Sequence, residues 1–170
     1  MKILLTALLI MSSLAVMAQP DKSKRPSPPA IAKATLKSGA NVSIDYSQPS
    51  VKGRTIGTDL EPIPAKVWRT GANEATVFET DKDIKVQEKL LPAGKYGLFT
   101  IANGEEWMII FNKTWKQWGA FNYKEADDIL RVTAKSQKAK EFSEKMTFTI
   151  GDDGKVSLLW GDIEVNFWLE

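Results

Sequence analysis

The chain has 170 residues, of which 43% are hydrophobic and 26% charged, with no Cys, no His and a formal net charge of +2. This composition is that of an ordinary globular protein, and it excludes a Ser-His-Asp triad, a Cys nucleophile and a zinc site built from His or Cys. So small a net charge predicts no binding to nucleic acid. The sequence contains no complete calcium-binding or phosphate-binding loop, and we therefore predict no metal and no cofactor.

The first 18 residues predict a secretory signal peptide. Lys2 precedes an apolar run over residues 3–16, and small residues lie one and three positions before Gln19, as a cleavage site requires. The alternative is a membrane anchor, but two serines interrupt the run, and about 20 apolar residues are needed to span a bilayer. We predict a secreted or periplasmic protein, cleaved near Ala18, with no transmembrane segment in the mature chain.

Residues 19–29 contain four prolines and three basic side chains. Because proline removes backbone donors and resists both helix and sheet, this segment predicts an extended arm. The remaining residues, 30–170, have a length suited to a single domain.

Alternating apolar and polar residues dominate this domain and predict β-strands with one buried face. Val42, Ile44 and Tyr46 are the clearest example. Similar runs occupy residues 76–80, 84–86, 95–101, 107–111, 129–133, 145–150, 155–160 and 163–169. Single helical turns are predicted at residues 64–70 and 123–128.

The last three of these runs keep the same phase across two short glycine-containing connections. Asp153-Gly154 and Gly161-Asp162 have the chemistry of tight turns, because glycine reaches positive φ cheaply. The pattern predicts a three-stranded antiparallel meander. The charged run over residues 135–145, which precedes it, predicts a solvated connection.

Eight to ten short strands with one buried face need a second layer to cover that face. We therefore predict an all-β fold, an antiparallel β-sandwich or jelly roll with one or two short helical turns. A closed barrel is the alternative architecture.

Five stretches of the sequence resemble one family of secreted bacterial proteins. They are residues 25–29 (RPSPP), 45–54 (DYSQPSVKGR), 67–76 (VWRTGANEAT), 91–96 (LPAGKY) and 117–121 (QWGAF). The family is the one catalogued as domain of unknown function 2911, and the resemblance extends over essentially the whole mature chain. It implies an exported bacterial domain of unassigned activity, and it supplies no catalytic residues.

Two polar, glycine-containing segments are candidate binding loops. In the first, Lys52 and Arg54 flank Gly53, where two cations and backbone N–H groups could face an anion. The alternative is a solvated turn whose charges serve solubility.

The second candidate segment is residues 67–76, with Trp68, Arg69, Asn73 and Glu74 as candidate ligand-binding residues. The planar guanidinium of Arg69 suits a carboxylate or a phosphate. The alternative is an internal ion pair between Arg69 and Glu74 that holds the loop in place.

Six tryptophans are many for this length. Trp160 and Trp168 lie on the expected strand alternation and Trp107 opens an apolar strand, which predicts core packing for most of these three. Trp115 and Trp118 lie in a polar connection, where large rings are expected to cover something. They predict a platform for a sugar or a peptide; rings folded back over the end of the fold are the alternative.

These residues favour a non-catalytic binding module for a saccharide or peptide-like ligand over an enzyme. One alternative is a carboxylate-dependent hydrolase that uses Glu74 with another acid, for which Asp45, Asp127 and Asp128 are the candidates. The other is a structural partner in an envelope assembly. The sequence leaves the oligomeric state open.

Overall fold

The computed structural model describes residues 21–170. This part of the chain contains ten β-strands and two 3-10 turns. The strands are β1 Pro29–Thr35, β2 Asn41–Ser47, β3 Val67–Trp68, β4 Val77–Thr80, β5 Ile84–Val86, β6 Lys89–Leu91, β7 Gly94–Asn103, β8 Glu106–Asn112, β9 Asp128–Ile150 and β10 Lys155–Trp168. The 3-10 turns are Lys22–Lys24 and Glu125–Asp127.

Eight of the strands form one antiparallel sheet in the order β1-β2-β4-β7-β8-β9-β10, with β3 paired to β7. The other two strands, β5 and β6, form a small antiparallel sheet. The prediction of an all-β, antiparallel fold is therefore confirmed, as is the helical turn predicted at residues 123–128. The predicted division into signal peptide, arm and single domain stays a prediction, and residues 1–20 lie outside the described part.

The large sheet curls until the segment after β2 reaches β9, which supplies much of the predicted cover for its buried face. Just after β2, Val51 N–H donates to the Glu144 carbonyl at 2.9 Å, and Met146 N–H of β9 donates to the Pro49 carbonyl at 2.9 Å. The small sheet joins the end of β10, where Lys85 and Glu170 exchange two backbone hydrogen bonds. Together these contacts enclose a single large core.

The core is aromatic at its centre. Phe111 makes edge-to-face contacts with Phe78, with centroids 5.0 Å apart, and with Phe167, at 6.4 Å. All three rings are at most 1% exposed. Because full burial of such a side chain contributes about 1.5 to 3 kcal/mol, these contacts between β4, β8 and β10 hold the curled sheet together.

The C-terminal region differs from the predicted meander. β9 is a strand of 23 residues that includes the charged run 135–145, and β10 continues through Gly161 without a turn. The pairing of the two strands shifts register on both sides of Gly161, so the glycine lies in a bulge. The charged run forms a strand because its backbone pairs with β10 while its long side chains face solvent.

The segment at residues 64–70 also differs from its prediction as a helical turn. It contains a non-helical turn, in which Ala65 has a positive φ of 59°, and then β3, which pairs with β7. The short pairing of Trp68 with Thr100 fixes the start of the loop that leads into β4.

Candidate functional site

Two of the predicted candidate loops meet in the structure. They are residues 69–76, between β3 and β4, and residues 113–122, which we call the tryptophan loop. Gly119 N–H donates to the Asn73 carbonyl at 3.0 Å, and Ala75 N–H donates to the Gln117 carbonyl at 3.0 Å. Asn73 has a φ of 58°, a left-handed conformation that asparagine tolerates better than most residues. This backbone pairing fixes Glu74 directly opposite Trp118.

The tryptophan loop is anchored by a small apolar cluster on the outward face of β7 and β8. Phe99 and Ile110 are fully buried there, and Tyr123 packs on Phe99 with centroids 5.1 Å apart. The loop nevertheless leaves Trp118 55% exposed and Phe121 84% exposed. We call these two side chains the aromatic patch.

The N-terminal segment 21–28 docks against this patch. Arg25 Nη1 donates to Glu74 Oε2 at 2.7 Å, and Lys22 Nζ lies 3.0 Å from Glu74 Oε1. The Arg25 guanidinium also lies 6.0 Å from the centroid of the Trp118 ring. Asn73 donates its side-chain N–H to the Ser27 carbonyl at 3.0 Å. The segment predicted as an extended arm therefore begins with a 3-10 turn and packs on both candidate loops.

A cavity of about 270 Å³, which we call the arm cleft, lies beneath this segment. Its lining combines charged side chains from the arm and the loop with the outward face of β2 and β4. The lining residues are Lys22, Arg25, Pro29, Ala30, Asp45, Tyr46, Ser47, Glu74, Ala75 and Val77.

Glu74 is the most perturbed acid of this site. Partial burial raises its pKa, but hydrogen bonds from its own backbone, Arg25 and Lys22 outweigh this effect and lower the pKa to about 2. Glu74 is therefore a carboxylate at every physiological pH, and it holds the arm by charge.

Trp115 lies farther along the same outward face. The Lys95 ammonium lies 5.1 Å from the centroid of its ring, close enough for a cation–π contact. Its backbone lies so close to β7 that a Cβ added at Gly97 would come 3.3 Å from the Trp115 Cα. Trp115 is partly buried.

Lys52 and Arg54 lie in a separate turn. Lys52 N–H donates to Glu144 Oε1 at 2.8 Å, and the Arg54 guanidinium donates to the carbonyls of Val51 and Ser50 at 3.1 and 2.7 Å. The Lys52 bond joins the turn to β9, and the two Arg54 bonds lie within the turn and occupy two of the guanidinium N–H groups. Neither side chain lines the arm cleft.

Trp68 and Arg69 lie apart from the aromatic patch as well. Trp68 is 1% exposed, packs edge-to-face on Trp107 and donates its indole N–H to the Gly71 carbonyl at 3.0 Å. Arg69 is partly buried. Burial lowers its pKa, and this effect outweighs the nearby charge of Glu61, which raises it. In residues 21–170 its Nε is buried without a hydrogen-bond partner, and the alternative Arg69–Glu74 pair does not form because Glu74 binds Lys22 and Arg25.

Lys22, Arg25 and Phe121 belong to the site but were not among the predicted site residues. The sequence of the arm predicts only an extended, proline-rich segment, although its three basic side chains directly precede the domain. Phe121 lies three residues after Trp118 in the same polar connection. A second large ring so close to Trp118 was the only indication in the sequence that Phe121 belongs to the site.

Replacing Glu74 by glutamine is expected to release the arm. Two partly exposed ion pairs are lost, each worth about 0.2 to 1 kcal/mol, so the arm should open roughly two- to thirtyfold more often. Trypsin cleavage after Lys22 and Lys24 reports this opening directly. Glu79→Gln is the matched control, because Glu79 pairs with Lys95 rather than with the arm.

Acid is expected to have the same effect on the wild-type protein. The lowered pKa of Glu74 stabilises arm docking fully above its ordinary pKa of 4.5, and this contribution disappears as the pH falls toward about 2. NMR signals of Arg25 and Ser27 amides should therefore move between pH 4.5 and 2 in the wild type. The Glu74→Gln protein should show no such titration, and an identical titration in both proteins would refute the role of Glu74.

Comparison with known proteins gives one match. A family model described as protein of unknown function (DUF2911) matches residues 27–169. No curated protein and no solved structure matches the chain. The matched region includes the tryptophan loop and the loop at residues 69–76, whereas Lys22 and Arg25 precede it.

Proposed function

Because the chain belongs to DUF2911, a family without an assigned function, we propose its role from the site, as a non-catalytic binding module for a saccharide or peptide-like ligand. The ligand contacts the aromatic patch and the arm cleft. In this proposal the protein is exported, after cleavage of the signal peptide near Ala18.

The exposure of Trp118 on a fixed backbone is the observation that carries this proposal. Exposure of a large aromatic ring to water is unfavourable, and exposed rings are enriched at binding sites, where a ligand covers them. Trp118 and Phe121 are both more than half exposed. The loop is paired to residues 73–75 and anchored over Phe99, so its backbone is fixed while the two rings are exposed. Ligand binding therefore costs little conformational entropy in this loop.

Polar groups next to the rings supply the orientation that a specific site needs. Arg25 and Glu74 line the arm cleft beside Trp118, and Asp45 lies on the floor of the same cleft. Apolar contact together with a few fixed polar groups is typical of small-ligand sites.

A carboxylate-dependent hydrolase is the second candidate, since Asp45 and Glu74 line one cleft. A general acid needs a raised pKa, whereas that of Glu74 is lowered to about 2. Asp127 and Asp128 are engaged elsewhere, with Lys113 and Arg131. The charge state of Glu74 thus favours binding over hydrolysis, and turnover lost in Glu74→Gln would reverse that preference.

Export is supported by the sequence of residues 1–18, which lie outside the described part. Within residues 21–170, no helix is long and apolar enough to cross a membrane. A role as a structural partner in the envelope would be favoured by a protein that co-purifies with the chain.

Replacing Trp118 by alanine is expected to weaken ligand binding at least about tenfold, since a central aromatic contact contributes about 2 kcal/mol or more. Titration of soluble peptidoglycan fragments, glucose oligosaccharides and short peptides, followed by tryptophan fluorescence and NMR, measures the effect. Trp168→Ala is the matched control, because Trp168 is 45% exposed on β10 away from the site. Equal loss in both variants, or no shift with any probe in the wild type, would refute the proposal.

A further inference from the structure

A second cavity lies next to the arm cleft on the outward face of β1, β2 and β4. Its volume is about 620 Å³, and we call it the β2 groove. Its polar lining residues are Lys33, Thr35, Asn41, Ser43, Glu79 and Asp81. In the strand register, Ser43 lies opposite both Lys33 and Glu79.

The arm cleft and the β2 groove adjoin each other. Asp45, on the floor of the arm cleft, is paired with Val77 and lies two residues from Ser43, so both side chains point to the same face. From Ser47 to Asn41 the two cavities follow β2 for roughly 20 Å, at about 3.3 Å per residue. A site of that length fits an extended chain better than a single small molecule.

Most of the charges in the β2 groove are already paired. Glu79 binds Lys95 at 2.9 Å, and Asp81 accepts two hydrogen bonds from Asn41, at 2.7 and 2.6 Å. In the described residues, the Asp45 carboxylate and the Lys33 ammonium have no hydrogen-bond or ion-pair partner. Thr35 donates to Asn41 at 2.8 Å, so in the described residues the Ser43 hydroxyl and the Lys33 ammonium are the free polar groups of the groove, and the arm cleft adds the Asp45 carboxylate. Together these groups suit a polar ligand without strong charge.

The backbone of β2, the strand in the middle of this face, is not available to a peptide. The ladder groups of β2 are shared with β1 on one side and β4 on the other. A peptide recognised as an added strand needs a free sheet edge. A saccharide needs only side-chain donors and acceptors for its hydroxyls and an aromatic ring for its C–H face, and this surface provides both.

We propose that the ligand is an extended oligosaccharide, which stacks on the aromatic patch and continues along the β2 groove. Asp45, Ser43 and Lys33 bind its hydroxyl groups. This inference rests on the proposed function, to which it adds the ligand class and a second part of the site.

The test compares disaccharides with hexasaccharides of β-1,4-linked glucose and of N-acetylglucosamine. In the wild type the hexasaccharide should bind about tenfold or more tightly than the disaccharide, because only the longer chain reaches the groove. Ser43→Trp fills the groove and should remove this gain while leaving disaccharide affinity within about twofold. Lys138→Trp, on the exposed surface of β9, should keep the gain.

NMR mapping on the wild type gives a second measurement that needs no variant. The hexasaccharide should shift the amides of Thr35 and Ser43, and the disaccharide should not. Binding without any gain from length would refute the groove and leave the proposed function intact. Binding of peptides alone would refute the saccharide class, and no binding of either class would overturn both proposals.

Discussion

Replacing Gly154 by alanine is expected to lower the free energy of unfolding by about 3 kcal/mol or more. Gly154 has a φ of +85° and follows directly on the turn between β9 and β10. A Cβ at this position would point onto the backbone carbonyl of Leu169, whose own N–H donates to the Gly154 carbonyl at 2.9 Å. Because β10 bends until its two ends touch here, neither backbone can move aside without opening the fold. Urea denaturation of the purified protein measures the loss.

Gly104→Ala is the matched control for this prediction. Gly104 has a similar positive φ of +61°, but no heavy atom lies within 4 Å of the added Cβ. Only the backbone strain of alanine remains, about 1 to 2 kcal/mol. Equal losses in the two variants would show that the contact between Gly154 and Leu169 adds nothing to stability.

The strand pattern was predictable wherever one face is buried and the other is polar. β2 and β4 have this pattern, and the sequence predicted both of them. It failed in β9 between residues 135 and 145, where charged side chains on a solvated strand resemble a loop. Such a strand owes its existence to backbone pairing with β10, and pairing leaves little trace in the sequence of one strand.

Glycine chemistry alone does not separate a turn from a bulge. Gly161 adopts positive φ, as predicted, but the strand bends there without ending, and it stays paired with β9 on both sides of the glycine. The sharp bend that results brings Lys155 within 3.5 Å of Glu164, so one strand contributes to both sides of the curled sheet. Whether the glycine ends the strand in a turn or lies in a bulge depends on the backbone pairing with β9 and not on the local sequence.

The candidate site was predictable in part. Asn73, Glu74 and Trp118 were predicted as candidates in two loops, and the structure brings these three residues together. The hydrogen bond from Arg25 to Glu74 joins residues 49 positions apart, and no local sequence pattern indicates such a pairing. The sequence could not separate Trp118 from Trp68 either, because both stand beside polar residues, whereas only tertiary packing decides which ring is buried.

Replacing Trp68 by alanine is expected to lower the free energy of unfolding by about 3 to 5 kcal/mol, as for other fully buried large side chains. The variant loses the contact with Trp107 and leaves the buried Gly71 carbonyl without its indole donor. Trp68→Phe keeps most of the apolar contact and isolates the hydrogen bond, so its loss should be smaller, about 1 to 3 kcal/mol. Trp118→Ala should change stability by less than about 1 kcal/mol, since its ring is 55% exposed. Chemical denaturation of the three variants measures these differences, and a Trp68→Ala protein as stable as Trp118→Ala would contradict the assignment of Trp68 to the core.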